Sequence, residues 1–404
     1  MLVPLADATV DTCGGKAGTL GALIRAGLPV PPGVVVPRAA YRAATRDLDL
    51  ARLAAGQGFA AARRAVAATP MPPRLPDLLA HALATLGHPP VAVRSSATNE
   101  DTATASAAGR HDSFLAVRGA PAVTDAVRAC WASLWSPRAA AYRSTDDTAA
   151  PEMAVIVQRH LDAGASGVMF TPDPAHPGPT VIEASWGLGP SIVEGRVTPD
   201  TYRVDARDTV ARSVADKRTR LDRHEGRVAV REVPAGARNR PVLDDAAAVR
   251  LARLGRTVAA LLGGAQDIEW AAVGDRIWLL QARPVTATPP PAPPAAPAPT
   301  GSLAGTPGSR GTATGPARIV RGPGDFGRVR PGDILVCRFT DPAWTPLLRI
   351  VAAVVTETGG ALSHAAIVAR EQGIPAVLGV PGAMDRLPDG ATVTVDGATG
   401  TVRP

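Results

Sequence analysis

Residues 286 to 301 read Thr-Ala-Thr-Pro-Pro-Pro-Ala-Pro-Pro-Ala-Ala-Pro-Ala-Pro-Thr-Gly, and this run limits the fold more than any other part of the chain. Proline fixes φ and lacks a backbone N–H, so the run can enter neither a helix interior nor a strand ladder. It predicts a linker over 287–301 that separates residues 1–286 from residues 302–404. Polyproline II rises about 3.1 Å per residue, so such a segment can hold two domains apart by roughly 40 Å. On composition alone, a plain tether and an arm that moves one domain between two places fit equally well.

The 404 residues, 46% of them hydrophobic, suffice for two or three domains with proper cores. The formal net charge is +7, yet the basic residues are almost all arginine, with lysine confined to Lys16 and Lys217. Aromatic residues make up 3% and no basic block is interleaved with them, so no nucleic-acid partner is expected. Cys13, Cys130 and Cys337 are odd in number and lie far apart. They suggest buried thiols in a reducing compartment, not a disulfide framework or a metal knuckle. The N-terminus lacks a basic stretch followed by an apolar one, and no run approaches the ~20 apolar residues of a membrane span. A cytoplasmic location with no membrane partner is expected.

Strands are predicted at Val91 onward, at 152–158, at 166–170 and at 180–184, and a buried helix face at Val123, Val127, Cys130, Trp131 and Leu134. Ala17 to Gly27 has apolar residues at helical spacing and ends on glycine. Strands and helices in this irregular order indicate an α+β first part. The second part alternates short valine-rich strands, such as 333–337 and 392–395, with a helix after Ser363, as a compact α/β domain.

Four local patterns carry chemistry. Thr356-Glu-Thr-Gly-Gly-Ala-Leu-Ser-His364 places a histidine at the mouth of a helix beside a Gly-Gly turn. Backbone N–H groups and the positive dipole end would favour an anion there, so His364 could accept and hold a phosphoryl group; it could also simply pack or cap the helix. Gly14-Gly-Lys16-Ala-Gly18, leading into a helix, offers donors and one cation for a phosphate, although it lacks Walker A spacing, and a turn with a solvated lysine fits as well. Arg94, entering a polar loop from a strand, can hold phosphate in a forked manner or can be a surface arginine. Gln266-Asp267-Ile-Glu269-Trp and Ile277-Trp-Leu-Leu-Gln281-Ala-Arg283-Pro flank Gly274-Asp275 and read as a β-hairpin. Alternation puts Asp267 with Glu269, and Gln281 with Arg283, on shared faces. The pair of faces forms either a hydrated surface or an oxygen-donor site for Mg²⁺ beside an arginine.

The run from Thr356 to Ala376 resembles the phosphohistidine signature of the phosphoenolpyruvate synthase, pyruvate phosphate dikinase and rifampicin phosphotransferase family. The resemblance extends through Gly14 to Gly33, Val91 to Asp101, Gly109-Arg-His-Asp-Ser113, Cys130 to Arg138, Gln158, Ser166 to Thr171, Glu183, Trp186 to Gly189, Thr198 to Tyr202 and the hairpin. Ala107, Arg110 and Pro190 depart from the family pattern, which commonly has an aromatic residue, glutamine and an acidic residue there. The resemblance implies an ATP-grasp half joined to a phosphohistidine swivelling domain. It implies that ATP is held by Lys16, Arg94, Gly109, Ser113, Gln158, Glu183, Asp267, Glu269, Gln281 and Arg283, and Mg²⁺ by Glu269 and Gln281. His364, Arg283, Lys16 and Arg94 would be the catalytic set.

What is implied is an AMP-forming, ATP-dependent phosphotransferase, in which His364 attacks the β-phosphorus and the terminal phosphate is lost. Nothing resembles the family's phosphoenolpyruvate/pyruvate barrel or a rifampicin-binding insert. The acceptor is therefore expected to be a small molecule of unknown identity, or else an acceptor domain on a separate protein that this chain serves as a phosphocarrier. A nucleotide-binding remnant without turnover is a third reading. If His364 swings between sites, deleting about ten residues of 288–300 removes roughly 30 Å of reach. Turnover, measured as AMP formation with an acceptor, should fall, while a Gly/Ser replacement of equal length should keep it. Equal rates in the deletion and the parent would contradict a swinging histidine.

Overall fold

The computed structural model describes residues 1–97, 111–136, 139, 151–176, 178–288 and 301–404. Two compact units are formed by Met1–Ala163, Asp222–Ala229 and Ile268–Pro284, and by Gly164–Leu221, Val230–Asp267 and Val285–Pro404. The second unit brings together residues from both sides of the proline run.

In the first unit, an antiparallel sheet runs in the order Val3–Pro4, Gly33–Val36, Met153–Arg159, Val91–Ala97, Ser113–Val117. Side chains alternate across it. Val91, Val93, Met153, Val155 and Val157 enter one core with Tyr41, Val66, Leu79, Val127 and Trp131, which come from the helices Arg38–Thr45, Phe59–Ala68, Leu75–Thr85 and Ala120–Ser133. Burying those valines turns Arg94 and Ser96 to the opposite face. There Ser96 meets the first helix, Val10–Arg25, which also packs beside the strand Arg276–Pro284. The predicted helix start at Ala17 is in fact the second segment of a longer helix, which kinks where Gly14 adopts φ 77° and ψ 171°.

The second unit holds an antiparallel sheet of Ala165–Phe170, Thr180–Trp186, Asp200–Val204 and Val210–Ser213. The helix Asp245–Leu262 packs over it, capped by the Asp244 carboxylate accepting from Ala247 N. It also holds an eight-stranded sheet whose middle strands, Thr312–Val320, Ile334–Cys337, Ala353–Thr356 and Ala376–Leu378, are parallel. Apolar clusters cover both faces, as parallel strands require. The short predicted strands and the helix after Ser363 appear within a residue or two of their expected places, and the chain is α+β.

Lys217, one of only two lysines, is fully buried against Asp200, also fully buried. The ammonium also donates to Ala215 O (2.9 Å), while the carboxylate accepts from Ala215 N (2.9 Å) and Val242 N (2.8 Å). This network ties the loops after the antiparallel sheet to one strand. Lys217→Met alone strands a buried carboxylate and should cost about 3–5 kcal/mol. The double variant Asp200→Asn/Lys217→Met should recover much of that loss. Urea unfolding midpoints measure both, and an unchanged midpoint in Lys217→Met would contradict this role for the pair.

Candidate active site

In the first unit, the glycine-rich turn and Arg94 are positioned by one strand. A β-carbon on Gly14 would collide with the Ser96 backbone oxygen and hydroxyl, so only glycine lets the helix kink press so closely on the strand. The Ser96 hydroxyl donates to Cys13 O (2.7 Å) and accepts from Ala17 N (3.1 Å), closing the break on both sides. Lys16 therefore opens the second helical segment, where backbone donors and the dipole favour an anion.

Two residues earlier on the same strand face, the Arg94 guanidinium reaches the hairpin. It donates to Leu280 O (2.6 Å) and Gln281 Oε1 (2.7 Å) and lies 3.4 Å from Glu269 Oε2. Alternation holds in the hairpin: Ile268 and Trp270 are completely buried, while Glu269 is partly open. Arg94, Glu269 and Gln281 are thus brought together. Arg283, two residues beyond Gln281 on the same strand, is buried. Ser113 sits across from Arg94 in the neighbouring strand. Gln158 lies in the same sheet, where its buried amide donates to Pro31 O (2.8 Å) and fixes the Pro29–Gly33 turn. Gly109 lies outside the described residues.

In the second unit, the histidine helix spans His364–Gln372, with Ser363 as its N-cap and His364 as its first residue. Gly359, at φ 107°, turns the chain into the helix, and the Ser363 hydroxyl donates to Gly360 O (2.8 Å). The imidazole is buried. Its Nδ1 is 2.9 Å from Thr340 Oγ1 and its Nε2 is 3.4 Å from Thr345 Oγ1. The closer contact orients the ring. Neither threonine was singled out from the sequence; the available signal was a Thr-Asp-Pro turn directly after a valine-rich strand, a place where loops expose functional groups.

The donors at the mouth of this helix already have an acceptor. Glu183, from the Thr180–Trp186 strand, is fully buried, and its Oε2 accepts from Leu362 N (3.2 Å). The Ala361 N–H bonds to the same carboxyl group. Burial pushes Glu183 up to about 7, against the pull of those two amides and of Arg370 and Arg203. Arg370, six residues after the histidine, is also absent from the sequence-based set. Its guanidinium donates to Ala361 O and Gly308 O (both 2.7 Å) and to Ala287 O (3.2 Å). Asp267 is buried and acts electrostatically on Arg370.

A family model described as pyruvate phosphate dikinase, AMP/ATP-binding domain matches residues 10–299, and one described as PEP-utilising enzyme, mobile domain matches residues 329–400. The chain belongs to this family. The probable phosphoenolpyruvate synthase of Methanothermobacter thermautotrophicus is 37% identical over 97% of the chain, and the phosphoenolpyruvate synthase of Aeropyrum pernix is 37% identical over 96%. The chain spans 61% and 56% of the length of those two relatives. The prodigiosin synthesizing transferase PigC of Serratia marcescens is 39% identical over 68% of the chain, which corresponds to 31% of that protein. The chain thus carries the family's nucleotide-binding domain and its mobile domain. Among the described residues, no helix is long and apolar enough to cross a membrane.

The Thr340 contact has a direct test. In Thr340→Val the imidazole loses its closer partner, and the ¹⁵N shifts of His364 should change from those of one dominant neutral tautomer toward a mixture. Identical shifts in parent and variant would contradict orientation of the ring by Thr340.

Proposed function

We propose that this chain is an ATP-dependent phosphotransferase of the dikinase type, passing the β-phosphoryl group of ATP through His364 to a small-molecule acceptor. The balance is ATP, acceptor hydroxyl and water giving AMP, phosphate and phosphorylated acceptor. The observation that carries the reading is the imidazole itself. In the neutral tautomer whose Nδ1–H donates to Thr340 Oγ1, the lone pair resides on Nε2, the nitrogen with the longer threonine contact. That is the state required of a nitrogen nucleophile. The first turn of the His364–Gln372 helix then favours the negative charge that the transferred group brings.

The nucleotide would lie where Lys16, Arg94 and Arg283 supply positive charge, with Ser113 and Gln158 as further candidate contacts. Glu269 and Gln281 offer two oxygens at one place, and Arg94 must yield Gln281 Oε1 for a metal to take it. Magnesium suits such a site, since it is commonly held by one or two carboxylates together with substrate phosphates, and it would supply charge neutralisation on the phosphates. Among the described residues, no cluster of three histidine, cysteine or acidic side chains gathers to hold a metal without a substrate.

A second reading is a phosphocarrier that delivers the group to an acceptor domain on another protein. Under both readings the first half-reaction is the same. Incubation with ATP and Mg²⁺, without acceptor, should give an acid-labile, base-stable phosphoryl group mapped to His364 by mass spectrometry, and none in His364→Ala. Glu269→Gln or Arg283→Ala should slow that labelling by on the order of 10²–10³, the usual cost of losing one group that stabilises transition-state charge. Equal labelling of His364→Ala would remove the carrier role, and full rates in both other variants would remove the hairpin from the site.

A further inference from the structure

Glu183 and Arg370 grip opposite sides of the same short stretch of backbone. The carboxylate accepts the N–H groups of Ala361 and Leu362, while the guanidinium donates to the carbonyl of Ala361. The approach is closer than an ordinary loop allows: a β-carbon on Gly360 would overlap the Glu183 carboxylate on both oxygens. Leu362 and Ile367, on either side of the histidine, enter an apolar cluster with Val168, Phe170 and Val181 from the antiparallel sheet and with Ile192 and Val197 from the connection between the strands Thr180–Trp186 and Asp200–Val204. Thr358 adds a bond from its hydroxyl to Gly195 O (2.6 Å). The same histidine helix holds the root of the proline-rich linker, since Arg370 donates to Ala287 O and Thr286 donates to Glu371 Oε1 (3.0 Å).

Among the described residues, two polar atoms in this cluster find no hydrogen-bond partner, Glu183 Oε1 and Arg370 Nη2, and both are buried. Buried polar atoms without partners cost stability unless some other gain offsets them. A carboxylate serving only as structural cement would be expected to find partners for both oxygens. One that must release a loop is better left partly unsatisfied, because the bound state is then not too deep to leave.

We propose that Glu183 is the positioning residue that docks the histidine loop on the nucleotide-binding half, by capturing the backbone amides of Ala361 and Leu362, and that Gly360 is the glycine that makes room for it. The inference rests on reading His364 as a mobile carrier, and it gives Glu183 a partner in the loop in place of the nucleotide. Arg370 links this latch to the linker root, so release of the loop and release of the stem share one side chain.

The latch carries a pH signature. The groups facing the Glu183 carboxyl are Arg370 on the histidine helix and Arg203 on the neighbouring strand, with Asp267 and Glu371 acting on Arg370. Arg370 stays charged across the neutral range, being lowered only to about 10 by burial. The docked carboxyl titrates near 7 against an ordinary value of 4.5, so the docked state binds the proton more tightly than the released one. Docking must then tighten as pH falls through 7 toward 4.5 and weaken as pH rises through the same window, by about tenfold between pH 8 and pH 6.

Amide hydrogen exchange on the full chain without nucleotide, corrected for intrinsic rates, reads the latch directly. In Glu183→Ala the protection of Ala361 and Leu362 should fall on the order of 10- to 100-fold, as expected for losing hydrogen bonds to a charged acceptor. Gly360→Ala should give a loss of similar size with the carboxylate still present, and it decides the matter if Glu183→Ala does not fold. Glu183→Gln, which keeps an acceptor but cannot titrate, should retain protection and lose its dependence on pH between 8 and 6. Parent-like protection in both Glu183→Ala and Gly360→Ala, or an unchanged pH profile in Glu183→Gln, would overturn the proposal. So would weaker ATP binding in Glu183→Ala with unaltered protection, since that outcome makes Glu183 a nucleotide ligand. Absence of phosphate on His364 in the parent would instead remove the carrier reading while leaving the exchange result standing.

Discussion

Both parts of the candidate site are built where backbone comes closer to a neighbour than a β-carbon would permit. At Gly14 the first helix breaks against Ser96, and the break turns a buried segment into a helix start with Lys16 at its mouth. At Gly360 the histidine loop closes over the Glu183 carboxylate, and the amides that follow become its donors. A helix start favours an anion anywhere; what distinguishes these two is the strand each presses against. The strands supply Arg94 and Ser96 in the first unit and Glu183 in the second, because alternation sends their apolar neighbours into the cores.

The charges follow the same economy of geometry. Arg94 spends its donors on the hairpin backbone, on Gln281 and on Glu269, so three groups proposed here for phosphate and metal binding are held together before any ligand arrives. Preorganisation of this kind lowers the cost of meeting a polyanion, since the cations need not be gathered during the reaction. Lys217 and Asp200 show the opposite use, a fully buried pair hydrogen-bonded to neighbouring backbone. Burial and partners, not residue type, separate the two lysines of the chain.

Much of this was legible in the sequence. The hairpin was readable because Ile268 and Trp270 alternate with Asp267 and Glu269 about a Gly-Asp turn, and the structure buries the two apolar residues as that pattern requires. The helix start at His364 was readable from Gly-Gly and serine placed before an alanine-rich run. The kink at Gly14 was not, since residues 10–13 carry no apolar period that marks them as helical before the glycines. Thr340, Thr345 and Arg370 escaped notice because each acts through a contact made by the fold: the threonines lie 24 and 19 residues from the histidine they touch, and Arg370 works on carbonyls far away in sequence. Glu183 was identified by resemblance alone, and its hold on the loop amides is a tertiary fact that no local pattern encodes.

The central claim is that the imidazole of His364 takes phosphate from the β position of ATP and not from the γ position. Parallel incubations with [β-³²P]ATP and [γ-³²P]ATP, followed by isolation of the phosphorylated chain and of the released nucleotide, separate the two directly. The account predicts that β label remains on His364, γ label leaves as inorganic phosphate, and the nucleotide product is AMP. Stable γ label on His364 with ADP as the product would contradict it.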